Sequence, residues 1–288
     1  MDRVPAWSLA VSAMLSVQLG AAISIGLFPD IGVAGTAWLR LTLGAIGFVL
    51  LARPRYWQWN WRELRAPVVL GIFSGVMTLC FLEAVARLPL GTAVAIEFLG
   101  PLTVAAVRSP TRTALIWPLV ALTGVLALTE PWTGEVNLAG VLFAAGAAVG
   151  WGAYIVITQY VGDRFAGIDG LAISLPVAAA VAAFVGLPQA WGNITPQVML
   201  IGIVAAILLP LIPWTFELYA LRRLTASAFG TLMALEPAIA AVIGAALLHQ
   251  EAGPLQVLGV VLVVVAGIGA ERRGHRDGEP IRLEPLGG

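Results

Sequence analysis

Two glutamates, each close to a proline and each inside a strongly apolar stretch, are the residues of this chain best suited to chemistry. Glu97 stands four residues before Pro101 in PLGTAVAIEFLGPL, and Glu236 directly precedes Pro237 in FGTLMALEPAIAAV. A carboxylate at the centre of a bilayer costs about 2.5–3.5 kcal/mol, so such a residue usually marks a path for ions or polar solutes. The pair therefore indicates transport across a membrane.

The two prolines add a structural argument to the two acids. Each proline removes one backbone hydrogen bond and frees a carbonyl oxygen close to its glutamate, and Glu97 shares a helix face with Pro101. Irregular backbone is tolerated at membrane depth where it lines a hydrated cavity, which predicts that Glu97 and Glu236 line a transport path. The alternative is that both acids pair with Arg40 or with polar neighbours and hold helices together.

Arg40 lies near the middle of an apolar run, where a cation needs a counter-charge or a watery cavity. Its planar guanidinium suits bidentate binding of a substrate carboxylate. It is equally suited to keep one of the glutamates ionised. The sequence leaves both roles open.

Other polar and aromatic side chains inside apolar runs are candidates for a substrate pocket. The main ones are Gln18, Trp151 and Tyr154, with Ser24 and Gln159 beside them. Aromatic rings with a polar tip can shape a pocket or meet a cation, although a buried tryptophan more often serves packing alone. Both readings stay open for these residues.

Two further prolines, Pro210 and Pro213, predict a bend in the run that contains them. Glu217 follows the bend and lies about one turn from Arg222 and Arg223. We expect it to form a salt bridge with that arginine pair rather than to contact substrate.

Helical spacing identifies residues with structural roles. Glu83 and Arg87 are four residues apart, which predicts an ion pair on one helix face. GxxxG spacing lets helices approach closely, and we expect it to act within the bundle at Gly71 with Gly75 and at Gly146 with Gly150.

The composition excludes several classes of protein. The chain is 59% hydrophobic and only 11% charged, with a mean hydropathy of +0.92, whereas soluble domains are about 25% charged. One cysteine, Cys80, cannot form an internal disulfide, and with two histidines we expect neither a metal nor any other cofactor. We also expect no nucleic-acid partner. The lipid bilayer is the predicted environment.

A spanning helix needs about 20 apolar residues, and turn residues divide the chain into ten such runs. The fold class is therefore predicted as an all-α, polytopic membrane protein with helices at 5–28, 32–52, 66–86, 90–107, 112–129, 138–160, 169–190, 198–220, 227–248 and 254–270. Every basic residue is arginine, and fourteen of the sixteen fall on the side of the N-terminus. The positive-inside rule then predicts that both termini are cytoplasmic.

The two glutamate motifs also indicate an internal repeat. Shifting the second half by 136 residues places Pro237 on Pro101. Five predicted helices separate equivalent positions, so the halves enter the membrane in opposite orientations. We predict two inverted five-helix repeats at 1–131 and 132–273, followed by a cytoplasmic tail at 274–288 that we expect to be disordered.

These features resemble a known family. The two glutamate motifs, together with WLRLTLG around Arg40, are similar to those of the drug/metabolite transporter superfamily with EamA-type repeats. The likeness is greatest to bacterial threonine and homoserine exporters and extends over nearly the whole chain. It implies proton-driven efflux of small amino acids across a bacterial inner membrane.

The resemblance and the residues together suggest a mechanism. A proton and the substrate ammonium group would compete for Glu97 or Glu236 while Arg40 receives the substrate carboxylate. Rocking of one repeat against the other about Pro101 and Pro237 would alternate access, with the proton gradient as the energy source.

The sequence leaves functions other than amino-acid export to be considered. An exporter of other metabolites or of cationic drugs would use the same fold. A membrane enzyme is disfavoured because the chain has neither GxSxG nor HExxH. A channel would not require paired acids or inverted halves. The sequence does not specify the substrate, the proton stoichiometry, the direction of net flux or the oligomeric state.

Overall fold

The computed structural model describes residues 5–87, 93, 96–107, 116–129, 137–233, 235–236, 239 and 253–273. Within these ranges the chain is helical, with a short 3-10 turn at Tyr56–Gln58 and no β-strand. The predicted all-α class is confirmed for this part of the chain.

The helices follow one another with short connections. They are α1 (Ala6–Ile25), α2 (Phe28–Ile31), α3 (Val33–Ala52), α4 (Trp61–Val85), α5 (Leu99–Val107), α6 (Ile116–Thr129), α7 (Leu138–Arg164), α8 (Asp169–Ala190), α9 (Pro196–Ala206), α10 (Ile212–Leu221), α11 (Ala226–Leu232) and α12 (Pro254–Arg273). Polar side chains start several of them. Asn60 and Glu63 form a capping box at α4, and Asn137 and Thr195 cap α7 and α9.

The outer surface of the helices is suited to lipid. Among the described residues, six helical stretches are long and apolar enough to cross a membrane, namely Ala6–Ile25, Val33–Ala52, Trp61–Val85, Leu138–Arg164, Asp169–Ala190 and Pro196–Leu221. Large apolar side chains point outward, with Leu50 67% exposed and Phe184 84% exposed. Apolar faces this extensive need an apolar surrounding. The chain is therefore a membrane protein.

Helices α5, α6, α11 and α12 overlap the four remaining predicted spans. Parts of those spans, together with the boundary near residue 131, Pro237 and the tail at 274–288, lie outside the described residues. The count of ten helices and the inverted repeat stay predictions.

Small residues allow close packing at the centre of the bundle. Helix α4 packs against both α7 and α8, and α8 also packs along α3. A Cβ atom on Gly71 would collide with the carbonyl oxygen of Ser174, and one on Gly150 would lie 2.8 Å from Met77 Cβ. The predicted role of these glycines inside the bundle is confirmed.

The predicted bend at Pro210 and Pro213 is also confirmed. A π-helical segment, Ile207–Leu211, joins α9 to α10, and Leu209 within it has non-helical angles of φ −160° and ψ 105°. The bend leaves the Leu208 carbonyl oxygen free of the regular helical ladder, and Ser16 Oγ on α1 donates to it at 2.6 Å. The irregular backbone is thus satisfied by a neighbouring helix, as a membrane interior requires.

Candidate functional site

Both predicted glutamates are buried beside an interruption of regular helix. Glu97 and Glu236 are each 6% exposed. Glu97 precedes a turn at Phe98, after which α5 begins, and Glu236 follows the end of α11, where its backbone N–H donates to the Met233 carbonyl oxygen at 2.9 Å. The two carboxyl groups are close enough to interact electrostatically. The fold thus brings together two acids that lie in opposite halves of the sequence.

Gln18 on α1 makes direct contact with one of these acids. Its Nε2 atom donates to Glu236 Oε1 at 3.0 Å. A glutamine side chain carries both an N–H donor and a carbonyl acceptor, so it can serve either the ionised or the protonated form of a carboxyl group. Gln18 can therefore hydrogen-bond Glu236 in either protonation state.

Arg40 is a buried cation without an acidic partner among the residues that the structure describes. It is 4% exposed, and its Nη1 atom donates to Ser24 Oγ at 3.1 Å. Ser24 Oγ in turn donates to the Gly20 carbonyl oxygen at 2.6 Å. The buried Nε atom of Arg40 has no hydrogen-bond partner. A buried charge with a free donor is costly unless a ligand or water satisfies it, so this guanidinium is available to bind an anion.

A third buried acid, Glu217, has a tyrosine as its partner. Glu217 is 5% exposed, and the Tyr154 hydroxyl donates to its Oε2 atom at 2.7 Å. The ring of Tyr154 packs against that of Trp214 with centroids 5.5 Å apart. Glu217 also interacts electrostatically with Glu236.

The salt bridge predicted between Glu217 and the Arg222–Arg223 pair is wrong for Arg222. Arg222 donates instead to backbone carbonyl oxygens where α7 gives way to α8: Nε to Gly162 at 2.8 Å, and Nη2 to Phe165 at 2.6 Å and to Gly167 at 2.8 Å. The carbonyls at the end of a helix have no partner within the helix, and a guanidinium satisfies several of them at once. By contrast, the predicted ion pair between Glu83 and Arg87 is confirmed.

An aromatic row along α7 links the acids. Trp151 and Tyr154 are three residues apart and share one face of the helix. Trp151 packs edge-on against Phe98, with centroids 5.0 Å apart, and Phe98 is the neighbour of Glu97 in the chain. The row therefore runs from Glu97 to Glu217. Sequence reasoning assigned Glu217 to another role and did not single out Trp214, although their spacing of three residues was a usable signal.

The structure describes three of the four predicted hinge prolines. Pro101 lies in the first turn of α5, and its carbonyl oxygen would be 2.6 Å from a Cβ atom on Gly230, so α5 and α11 cross in close contact. Pro210 and Pro213 lie at the bend before α10, whereas Pro237 lies outside the described residues. Within the described part of the chain, no group of three or more His, Cys, Asp or Glu side chains could hold a metal ion.

The sequence is similar to those of known membrane transporters. The sequence profile of the EamA-like transporter family matches residues 138–269. The threonine/homoserine exporter RhtA of Escherichia coli K12 is 34% identical over 279 residues, covering 94% of this chain and 93% of its own. RhtA of Salmonella typhimurium LT2 is 33% identical over 277 residues, covering 93% and 92%.

One protein of known crystal structure has the same overall fold. It superposes with a TM-score of 0.70 at 17% identity, covering 93% of this chain and 98% of its own. At that identity the likeness concerns the fold alone.

Proposed function

Because the chain belongs to the EamA-like transporter family of the drug/metabolite transporter superfamily, we propose that it exports small amino acids of the threonine and homoserine type across a bacterial inner membrane. Family membership confirms the resemblance drawn from the two glutamate motifs. It also makes the chain a transporter and not an enzyme. The substrate class is inferred from the RhtA relatives, which match the chain over nearly its full length.

The proposal rests chiefly on buried acidic and basic side chains that do not form ion pairs with one another. Glu97, Glu217 and Glu236 are buried, and so is Arg40, yet the described residues contain no ion pair among the four. A stable scaffold would pair such groups, because an uncompensated buried charge is strongly destabilising. Unpaired groups of both signs suit a ligand that carries both signs, as an amino acid does.

Each pole of such a ligand has a candidate partner held by α1. Ser24 positions Arg40, which would take the substrate carboxylate, and Gln18 positions Glu236, which would take the ammonium group or a proton. Gln18 and Ser24 are six residues apart, or about 9 Å along the helix axis. The first helix therefore couples the anion-binding and cation-binding ends of the site.

Proton antiport is the proposed energy coupling. If a proton and the substrate ammonium group compete for Glu97 or Glu236, binding of one releases the other. Exchange then needs no separate coupling device, and no cofactor is required beyond a proton gradient. Trp151 and Tyr154 would line the substrate path between the acids.

The packing of helices supports an inverted repeat with halves at 1–131 and 132–273. Helix α3 packs on α8, α5 on α11 and α6 on α12, which joins three predicted spans of the first half to their counterparts five spans later. The contact of α4 with α7 likewise has a counterpart in that of α10 with α1. We propose ten transmembrane helices with both termini in the cytoplasm, and alternating access through rocking of the two halves.

Exchange of labelled substrates in proteoliposomes tests the function. The purified protein is expected to exchange threonine and homoserine, with a rate that depends on pH, and to discriminate against an aromatic cation of similar charge. Glu97→Gln and Glu236→Gln each replace an acid by an amide that cannot carry a proton, so the pH dependence is expected to flatten in at least one of them. Glu83→Gln, which alters the confirmed surface pair with Arg87, is the matched control.

Two results would contradict this proposal. Preference for the aromatic cation over both amino acids would favour an exporter of cationic drugs on the same fold. An unchanged pH profile in both variants would show that neither glutamate carries the proton.

A further inference from the structure

Polar and aromatic side chains surround Glu217 between α7 and α10. Its carboxyl group accepts the Tyr154 hydroxyl, and the ring of Trp214 lies one turn away on the same helix and packs against Tyr154. Thr158 lies one turn beyond Tyr154 on α7 and is fully buried. An acid, two aromatic rings and a threonine hydroxyl thus meet in one place.

Joining α7 to α10 does not explain an acid at this position. Gln159 on α7 already donates to the Leu224 carbonyl oxygen at 3.1 Å, and Arg222 binds Gly162 at 2.8 Å. A glutamine at position 217 would accept the Tyr154 hydroxyl through its own carbonyl oxygen without the cost of burying a carboxyl group. The acid therefore calls for a partner that needs a negative charge.

A cation to neutralise Glu217 is not found in the part of the chain that the structure covers. No arginine or histidine there lies within 4.0 Å of its carboxylate, and the nearest charged group along the helix, Arg222, is engaged with carbonyl oxygens. Glu217 also interacts electrostatically with Glu236, which is an acid as well and cannot neutralise it. Aromatic faces beside a carboxylate favour an organic ammonium group, which both the charge and the ring quadrupole attract.

We infer that Glu217, Tyr154 and Trp214 form a binding subsite for the primary ammonium group of the transported solute, distinct from Glu97 and Glu236. The inference deepens the proposed function and rests on it for the identity of that solute. Thr158 offers a further oxygen for an ammonium N–H. The Tyr154 hydroxyl holds the carboxylate in place, so it is a positioning group.

The position of the subsite indicates when it is used. Glu217 stands five residues before Arg222, or about 7.5 Å along the helix. Arg222 belongs to the arginine-rich face that the positive-inside rule assigns to the cytoplasm. Glu217 thus lies near the cytoplasmic end of α10. The subsite would receive the ammonium group on entry, before its transfer toward Glu236.

Calorimetric titration of the full-length protein in detergent tests the subsite with two probes. Threonine is one, and 1-amino-2-propanol, which is threonine without its carboxylate, is the other. Wild type is expected to bind both. Glu217→Gln keeps an acceptor for Tyr154 but removes the charge, so the Kd for both probes is expected to rise about ten- to one-hundredfold. Tyr154→Phe is expected to give a smaller rise for both.

Matched controls separate this effect from general damage. Glu83→Gln changes a surface acid, and Tyr160→Phe changes a half-exposed tyrosine on the same helix as Tyr154. Both are expected to bind as wild type does. Gel filtration and thermal unfolding check that each variant is folded, and if Glu217→Gln is not, then Tyr154→Phe and Trp214→Leu decide the matter.

The outcomes are distinguishable from failure of the proposed function. Unchanged binding of both probes to the folded Glu217→Gln variant, or no binding of the amine to wild type, would overturn the subsite. Unchanged binding to both Tyr154→Phe and Trp214→Leu would do the same where Glu217→Gln does not fold. Amine binding that depends on Glu217, in a protein that exchanges neither threonine nor homoserine, would support the subsite and refute the proposed substrate.

Discussion

Gln18 Nε2 lies 3.0 Å from Glu236 Oε1, so the first helix of the chain binds directly to an acid that follows α11. The contact crosses 218 positions of sequence. It joins α1, which also carries Ser24, to the second glutamate motif. A substitution of Gln18 should therefore alter transport even though both glutamates are retained.

Replacing Gln18 by leucine removes the amide while keeping a side chain of similar size. We expect the KM for threonine exchange to rise about tenfold, since a hydrogen bond to a charged group contributes about 1.5–3 kcal/mol. Initial rates of exchange in proteoliposomes over a range of threonine concentrations measure it. Ser12→Ala, at an exposed position of α1, serves as the control. An unchanged KM in the leucine variant would exclude Gln18 from the site.

Arg40→Gln should abolish the preference for solutes that carry a carboxylate. The guanidinium has a free, buried Nε donor, whereas a glutamine amide has no charge to offer. We expect threonine exchange to weaken more than tenfold while binding of 1-amino-2-propanol stays close to wild type. Arg164→Gln, an exposed arginine that lies over the Tyr160 ring, is the matched control. Equal losses for both probes would mean that Arg40 supports the fold and not the substrate.

Arg222→Gln tests the link between α10 and the connection from α7 to α8. The guanidinium donates to three carbonyl oxygens, and an amide cannot reach all of them. We expect the free energy of unfolding to fall by about 1–3 kcal/mol, measured by denaturant titration in detergent. Arg222→Lys should restore little of it, because an ammonium group lacks the fork of donors that spans separate acceptors. Full stability of the lysine variant would argue that charge alone matters here.

Gly71→Val should disrupt the contact of α4 with α8. Its Cβ atom would collide with the backbone carbonyl of Ser174, which cannot move aside as a side chain can. We expect a loss of about 1–3 kcal/mol or more from overpacking, seen as a lower yield of monodisperse protein and a lower Tm. Gly253→Ala is the control, because a Cβ atom there would meet no atom within 4 Å among the residues that the structure describes. Equal behaviour of the two variants would contradict this packing.

Much of the site could be predicted because a polar group in an apolar run stands out without any knowledge of neighbours. Glu97, Glu236, Arg40, Gln18 and Tyr154 all stand out in this way, and the structure buries all of them except Gln18, which is partly buried. The bend at Pro210 was equally predictable, because the missing N–H of a proline is a local property.

The partners of these residues were not predictable in the same way. Helical spacing predicts a salt bridge from Glu217 to the Arg222–Arg223 pair, yet Glu217 accepts a hydrogen bond from Tyr154, 63 positions away. Spacing along one helix predicts the arginines as partners, whereas the packing of α7 against α10 brings Tyr154 into contact with Glu217.

The sequence by itself determined that this is an all-helical membrane protein with acids and an arginine inside it. The reason is that partition between lipid and water depends on residue type and on the length of apolar runs. Only the tertiary structure decided which buried charges stay unpaired, because pairing depends on how helices distant in sequence pack together. Arg40 meets Ser24 and not a carboxylate, and Arg222 meets carbonyl oxygens at the end of α7.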